Sequence, residues 1–155
     1  MGPPGTTWCD DLAYLETTKL SNAAEGATGE QYVLDNGDVV GATVFVPGGG
    51  DYPDAGSMLA AIDAAVDKCL AAADKGDYGE VTSEPISGLP DGAVGFKFTN
   101  ASSDPVEVGS VAFAETDDGR LAGVGVTHYG SGKAPTDVVD LLSTALERAG
   151  DVPSK

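Results

Sequence analysis

Between Asp54 and Lys75, apolar residues recur at every third or fourth position. Met58, Leu59, Ile62, Ala65, Val66, Cys69, Leu70 and Ala73 fall on one stripe of a 3.6-residue helix. Asp54 follows Pro53 and is suited to cap it, with Ser57 as the alternative cap one turn later. Lys75 and Gly76 supply a basic last turn and a stop glycine. A second helix is expected from about Thr136 to Ala149. Thr136 would cap it, Val138, Val139, Leu142, Ala145, Leu146 and Ala149 form its stripe, and Gly150 ends it.

Elsewhere the pattern shortens to strand length. Gln31–Leu34 and Val39–Val46 read as strands joined by Asp35-Asn36-Gly37-Asp38, and Asn-Gly between β-prone runs is a strong hairpin signal. That turn shares acidic residues with calcium loops but lacks their spaced ligands and closing Glu, so it reads as a turn. Tyr78–Ile86 alternates weakly. Ala93–Thr99 puts Phe96 and Phe98 on one face, opposite Lys97. Val106–Glu115 and Arg120–Tyr129 are long strands joined through Thr116-Asp117-Asp118-Gly119. Residues 21–30 are small, polar and Gly-rich, and read as a loop. Residues 10–20 fit a short helix or irregular segment only loosely. The order is two strands, helix, four strands, helix. Short links imply antiparallel pairing. The fold class is therefore α+β: an antiparallel sheet of about five to six strands with two main helices packed on it.

A chain of 155 residues with 41% apolar content forms one domain with a real core, needing no metal or dense disulfide framework. Residues 1–7 read as a disordered leader or tag remnant, rich in turn formers at Gly2-Pro3-Pro4-Gly5, with a targeting segment removed upstream. Residues 8–155 read as a single domain. Acids outnumber bases 25 to 8, for a net charge of −17. That field repels nucleic acid and anionic lipid, so neither is an expected partner. The acidity serves solubility in the plainest account; the sharper alternative is cation binding or attraction to a basic protein partner. No stretch approaches the roughly 18 apolar residues of a membrane span.

The two cysteines are Cys9 and Cys69. An even count favours a disulfide between them, which would stabilise by about 4 kcal/mol in the chain-entropy model. The alternative is two unrelated thiols, with Cys69 a small core hydrophobe. The Gly/Pro leader, scarce lysine and the placing of the two cysteines point to an exported protein.

Most catalytic patterns fail. One histidine, His128, and no Cys/His cluster leave no zinc site. Gly130-Ser131-Gly132-Lys133 resembles the end of a phosphate loop, but Thr127 and Ala134 stand where that pattern needs Gly and Ser or Thr. No nucleophile elbow occurs. A cysteine hydrolase pairing Cys9 or Cys69 with His128 is disfavoured, because Cys69 lies on an apolar helix face that raises a thiol's pKa. Asp10-Asp11 and Asp117-Asp118 are neighbours in a cap and a turn, hence solvated charges. No catalytic residue, metal ligand or cofactor is assigned.

One constellation remains. On the strand from Arg120, Ala122, Val124, Val126 and His128 share one face. Leu121, Gly123, Gly125, Thr127 and Tyr129 share the other. If Gly109 of the preceding strand lies near Gly123 or Gly125, the sheet is notched. Strand glycines mark close approach by a ligand or by another part of the chain. The notch would be filled by a packed helix, or it would form a groove with Thr127 and Tyr129 at its rim. Gly123, Gly125, Thr127 and Tyr129 are the candidate ligand-binding residues. His128 ends a core-facing row.

The Trp8-Cys9 start, the strand ending Val44-Phe45-Val46, and the helix Ala60-Ala61-Ile62-Asp63-Ala64-Ala65-Val66 leading to Cys69 form one set of features. With Gly88-Leu89-Pro90-Asp91-Gly92-Ala93-Val94-Gly95-Phe96 and a last amphipathic helix, the layout resembles the exported sensor-type domains of actinobacteria. That group includes the extracellular domain of mycobacterial serine/threonine kinases of the PknH type and related cell-envelope lipoproteins. The resemblance implies an exported α+β domain with a groove, a structural disulfide and no catalysis of its own. Family members commonly have a second disulfide; the cysteines for it are missing here, which favours a free-standing lipoprotein or secreted relative. The expected function is a non-enzymatic extracytoplasmic domain, extracellular or at the cell surface. It would bind a small molecule, lipid or envelope component in a sheet–helix groove, and meet the membrane only through an N-terminal anchor that this sequence lacks. The alternatives are an acidic protein-interaction module and, more remotely, a hydrolase with an unfamiliar site.

Overall fold

The structure, a computed structural model, describes residues 26–48, 52–75, 81–101, 106–130 and 137–149. In chain order the elements are β1 (Gly26–Val33), β2 (Val39–Val46), α1 (Ala55–Asp74), β3 (Val81–Pro85), β4 (Val94–Asn100), β5 (Glu107–Glu115), β6 (Leu121–Tyr129) and α2 (Val138–Ala149). The strands form one sheet in the order β1-β2-β6-β5-β4-β3, with every neighbouring pair antiparallel. The chain makes a hairpin, crosses through α1 to the far edge, and returns strand by strand until β6 lies against β2. This is the α+β class expected from the pattern.

Pleating divides the core in two. Phe45, Phe96, Phe98, Val111, Phe113 and Leu121 face α1, whose Met58, Ile62, Val66 and Cys69 pack against them. All four phenylalanines of the chain lie in this layer and are fully or almost fully buried. Each contributes roughly 1.5–3 kcal/mol by leaving water. Val40, Ala112, Ala114, Val124 and Val126 face the other way, where Val138 and Leu142 of α2 cover them. A helix therefore lies on each face of the sheet.

Local chemistry sets the helix starts. Asp54 Oδ1 accepts the Ser57 amide at 2.7 Å and the Ser57 hydroxyl at 2.8 Å, so Asp54 is the cap of α1. These bonds hold its carboxyl below the usual aspartate value. In α2, Asp137 accepts the Val139 amide at 2.8 Å, and its carbonyl accepts the Leu141 amide. Asp137 thus does the capping expected of Thr136, which lies outside the described residues.

β1 differs from expectation. It begins at Gly26 rather than Gln31, because Gly26–Glu30 pair with Ala42–Val46 of β2. The Gly29 backbone sits beside Thr43, where a Cβ would come within 3.1 Å of the Thr43 hydroxyl. Glycine in an edge strand removes the alternation that marks a strand in sequence. Residues 1–25 lie outside the described residues, and with them the 1–7 leader, Trp8, Cys9 and Asp10-Asp11.

Candidate functional site

A groove of about 330 Å³ opens on the α2 face of the sheet, between α2 and the β1–β2 hairpin. Val40, Ala42 and Val44 form its floor; Leu141 and Ala145 line the α2 side. These side chains share a face because β2 alternates and α2 repeats every 3–4 residues. The groove stands at the small end of the roughly 300–1,000 Å³ typical of ligand sites.

Its rim is polar. Glu30 and Tyr32 stand on the β1 side, cross-strand to Ala42 and Val40. The Tyr32 hydroxyl donates to Glu30, and this bond holds the phenol above its usual value. Arg148, in the last turn of α2, lines the opposite side and pulls the phenol weakly the other way. Thr144 also lines it, with its hydroxyl donating to the Asp140 carbonyl at 3.1 Å.

The residues singled out in sequence do not line this groove. Gly123, Gly125 and Thr127 are buried in β6 on the α1 side, and Tyr129 is half exposed at the strand end. Register explains the difference. Gly109 pairs with Thr127, Val111 with Gly125 and Phe113 with Gly123. The expected notch is filled, though by the sheet's own aromatic rings rather than by a helix. A Cβ on Gly109 would overlap the Phe98 ring, and one on Gly123 would come within 2.7 Å of Phe113. Large rings lie over small residues, so the surface closes. Tyr129 is opposite Glu107, whose carboxyl is pushed up by partial burial.

His128 is placed by a contact that the sequence did not signal. It continues the β2–β6 register one step past Val39–Thr127, and its Nδ1 lies 2.6 Å from Oδ1 of the fully buried Asp38. Asp38 therefore belongs to the hairpin turn and to the core at once. Its amide donates to Asn36 Oδ1, and its carbonyl accepts the Leu34 amide. An aspartate-oriented imidazole supplies two of the three members of a catalytic triad. Among the described residues, however, no hydroxyl or thiol bonds its other nitrogen. Cys69 is fully buried between α1 and the sheet, on the face opposite His128, and is disulfide-bonded. Cys9 lies outside the described residues.

At the β5–β6 hairpin, Asp118 is more than a solvated turn charge. It pairs with Arg120 at 2.7 Å and accepts its Nε at 3.1 Å, while Arg120 itself is almost fully buried. Hydrogen bonds from Arg120 and then Thr116 lower the Asp118 carboxyl to about 2. Among the described residues, no three His, Cys, Asp or Glu side chains gather closely enough to hold a metal. No helix among them is long and apolar enough to cross a membrane. No protein-family model matches the chain, and no curated protein matches it.

Proposed function

We propose that this protein is an extracytoplasmic binding domain of the lipoprotein or secreted type, which holds a small apolar-bodied molecule between α2 and the β1–β2 hairpin. The observation that carries this reading is the groove itself: an apolar floor of Val40, Ala42 and Val44 beneath a polar rim. The disulfide at Cys69 supports an oxidising compartment. The test is an NMR titration with 3-methylbutanol, a neutral apolar probe. Saturable shifts of the Gly29, Ala42, Val44 and Ala145 amides are expected. They should vanish when Ala145→Phe fills the space. Shifts scattered over the surface, or unchanged by Ala145→Phe, would reject the groove.

A second reading rests on an exposed patch that adjoins the groove at Tyr32. Tyr32, Val33, Leu34 and Tyr129 are large, exposed and gathered at one end of the sheet. Exposed apolar groups on an acidic protein suit contact with a basic protein partner. Such a partner would be lost on Val33→Lys, a change that leaves the groove lining untouched.

A further inference from the structure

The rim of the groove carries one charge of each sign, and they do not neutralise each other. Glu30 stands on β1 and Arg148 on α2, and no ion pair joins them. Arg148 has no carboxylate partner among the described residues, although the chain carries 25 acids against 8 bases. Both side chains are exposed, with Tyr32 bonded to one and close enough to feel the other. Below them lies the apolar floor.

We infer that the groove takes a free apolar α-amino acid, its carboxylate on Arg148, its ammonium on Glu30, and its side chain over Val40, Ala42 and Val44. This rests on the reading of the groove as the binding site. Charge complementarity selects the zwitterion. A simple anion meets Arg148 but is repelled by Glu30 and by the net charge of −17. A simple cation is drawn to the acidic surface at large and leaves Arg148 unanswered. A zwitterion has no net charge and answers both groups, while the apolar surface beneath them takes its side chain. The small volume fits a side chain of leucine size better than a lipid tail.

The test titrates the full chain with leucine, leucinamide and N-acetylleucine, following the Gly29, Ala42 and Ala145 amides. Leucine should bind tightest, and each blocked form about two- to five-fold more weakly, the range of solvent-exposed ion pairs. Arg148→Gln should reduce leucine to the level of leucinamide. Glu30→Gln should reduce it to the level of N-acetylleucine. Both residues are exposed, so neither variant threatens folding. Equal binding of all three ligands, or tighter binding of N-acetylleucine, overturns the zwitterion and leaves the groove standing. Shifts with 3-methylbutanol but none with leucine do the same. No groove shift with any of these probes, the alcohol included, overturns the groove reading as well.

Discussion

The Asp38 carboxylate lies 2.6 Å from His128 Nδ1 and is closed off from solvent, while His128 keeps partial exposure. A carboxylate only accepts, so the imidazole carries its proton on Nδ1 and donates it to Asp38. The pair fastens the tip of the β1–β2 hairpin to the end of β6, and β2 is the floor of the groove. The bond therefore links a turn to the wall of the proposed site.

Removing that partner takes a charge-assisted hydrogen bond from a buried carboxylate. His128→Ala should lower stability by about 1.5–3 kcal/mol, the range for bonds to charged groups. Urea denaturation measures the loss. Amide exchange locates it: the Leu34 and Gly37 amides, which bond within the turn, should exchange faster, and the α1 amides should change only with global stability. A loss below about 0.5 kcal/mol would show that the pair is incidental.

Gly123 and Gly109 are held small by aromatic neighbours. A methyl group at Gly123 meets Phe113, and one at Gly109 meets Phe98, both fully or almost fully buried rings. Gly109→Ala and Gly123→Ala should each destabilise by about 1–3 kcal/mol through overpacking. Ligand shifts in the groove should persist in the folded fraction, because these glycines lie on the other face of the sheet. Combining Gly123→Ala with Phe113→Leu should recover part of the loss, measured as a double-mutant cycle of denaturation midpoints.

Those glycines show where sequence stops informing. Their place on one face of β6 with Thr127 and Tyr129 was legible, because strand alternation is local. What lay over them was not. The Phe98–Gly109 and Phe113–Gly123 contacts depend on which residues pair across strands, and a one-residue slip changes every partner. Element order was legible for the same local reason: Met58, Ile62, Val66 and Cys69 repeat on a helix and Phe96 and Phe98 alternate on a strand. The first half of β1 escaped because Gly26-Ala27-Thr28-Gly29 has no apolar period. The Asp38–His128 contact joins residues 90 positions apart. It required knowing that β2 lies beside β6, which only the crossover decides. The groove was hidden likewise, since its floor and far wall come from β2 and α2.

The Asp118–Arg120 clamp gives the acid behaviour a definite sign. The Asp118 carboxyl is lowered from 3.8 to about 2 in the folded protein, so its ionised form favours folding. That contribution is full above pH 3.8 and disappears as pH falls toward 2. In Asp118→Asn the pH dependence of stability over this window should flatten, while stability at neutral pH falls because the nearly buried Arg120 loses an anionic partner. Thermal denaturation of both proteins at a series of pH values makes the comparison. Parallel curves would show that the acid response arises elsewhere.

The C-terminal half of α1 carries a buried half-cystine. Cys69 is fully buried among Met58, Ile62 and the phenylalanines, and is disulfide-bonded. Cys9 is the one other cysteine in the chain, so we propose the bond Cys9–Cys69. It would tie the N-terminal segment to α1 and close a loop of sixty residues, restricting the unfolded chain. Thiol titration of the unfolded, unreduced protein should find no free thiol, and the reduced protein should show two. Mass spectrometry of non-reduced peptides should join the two segments. Cys9→Ser should lower stability by about 4 kcal/mol or somewhat less, chiefly through the greater freedom of the unfolded state. Cys69→Ser should lower it further, because it also places a hydroxyl in an apolar layer. Two free thiols in the unreduced protein would remove both the tether and the chief support for an oxidising compartment, leaving the groove to be judged by its ligands alone.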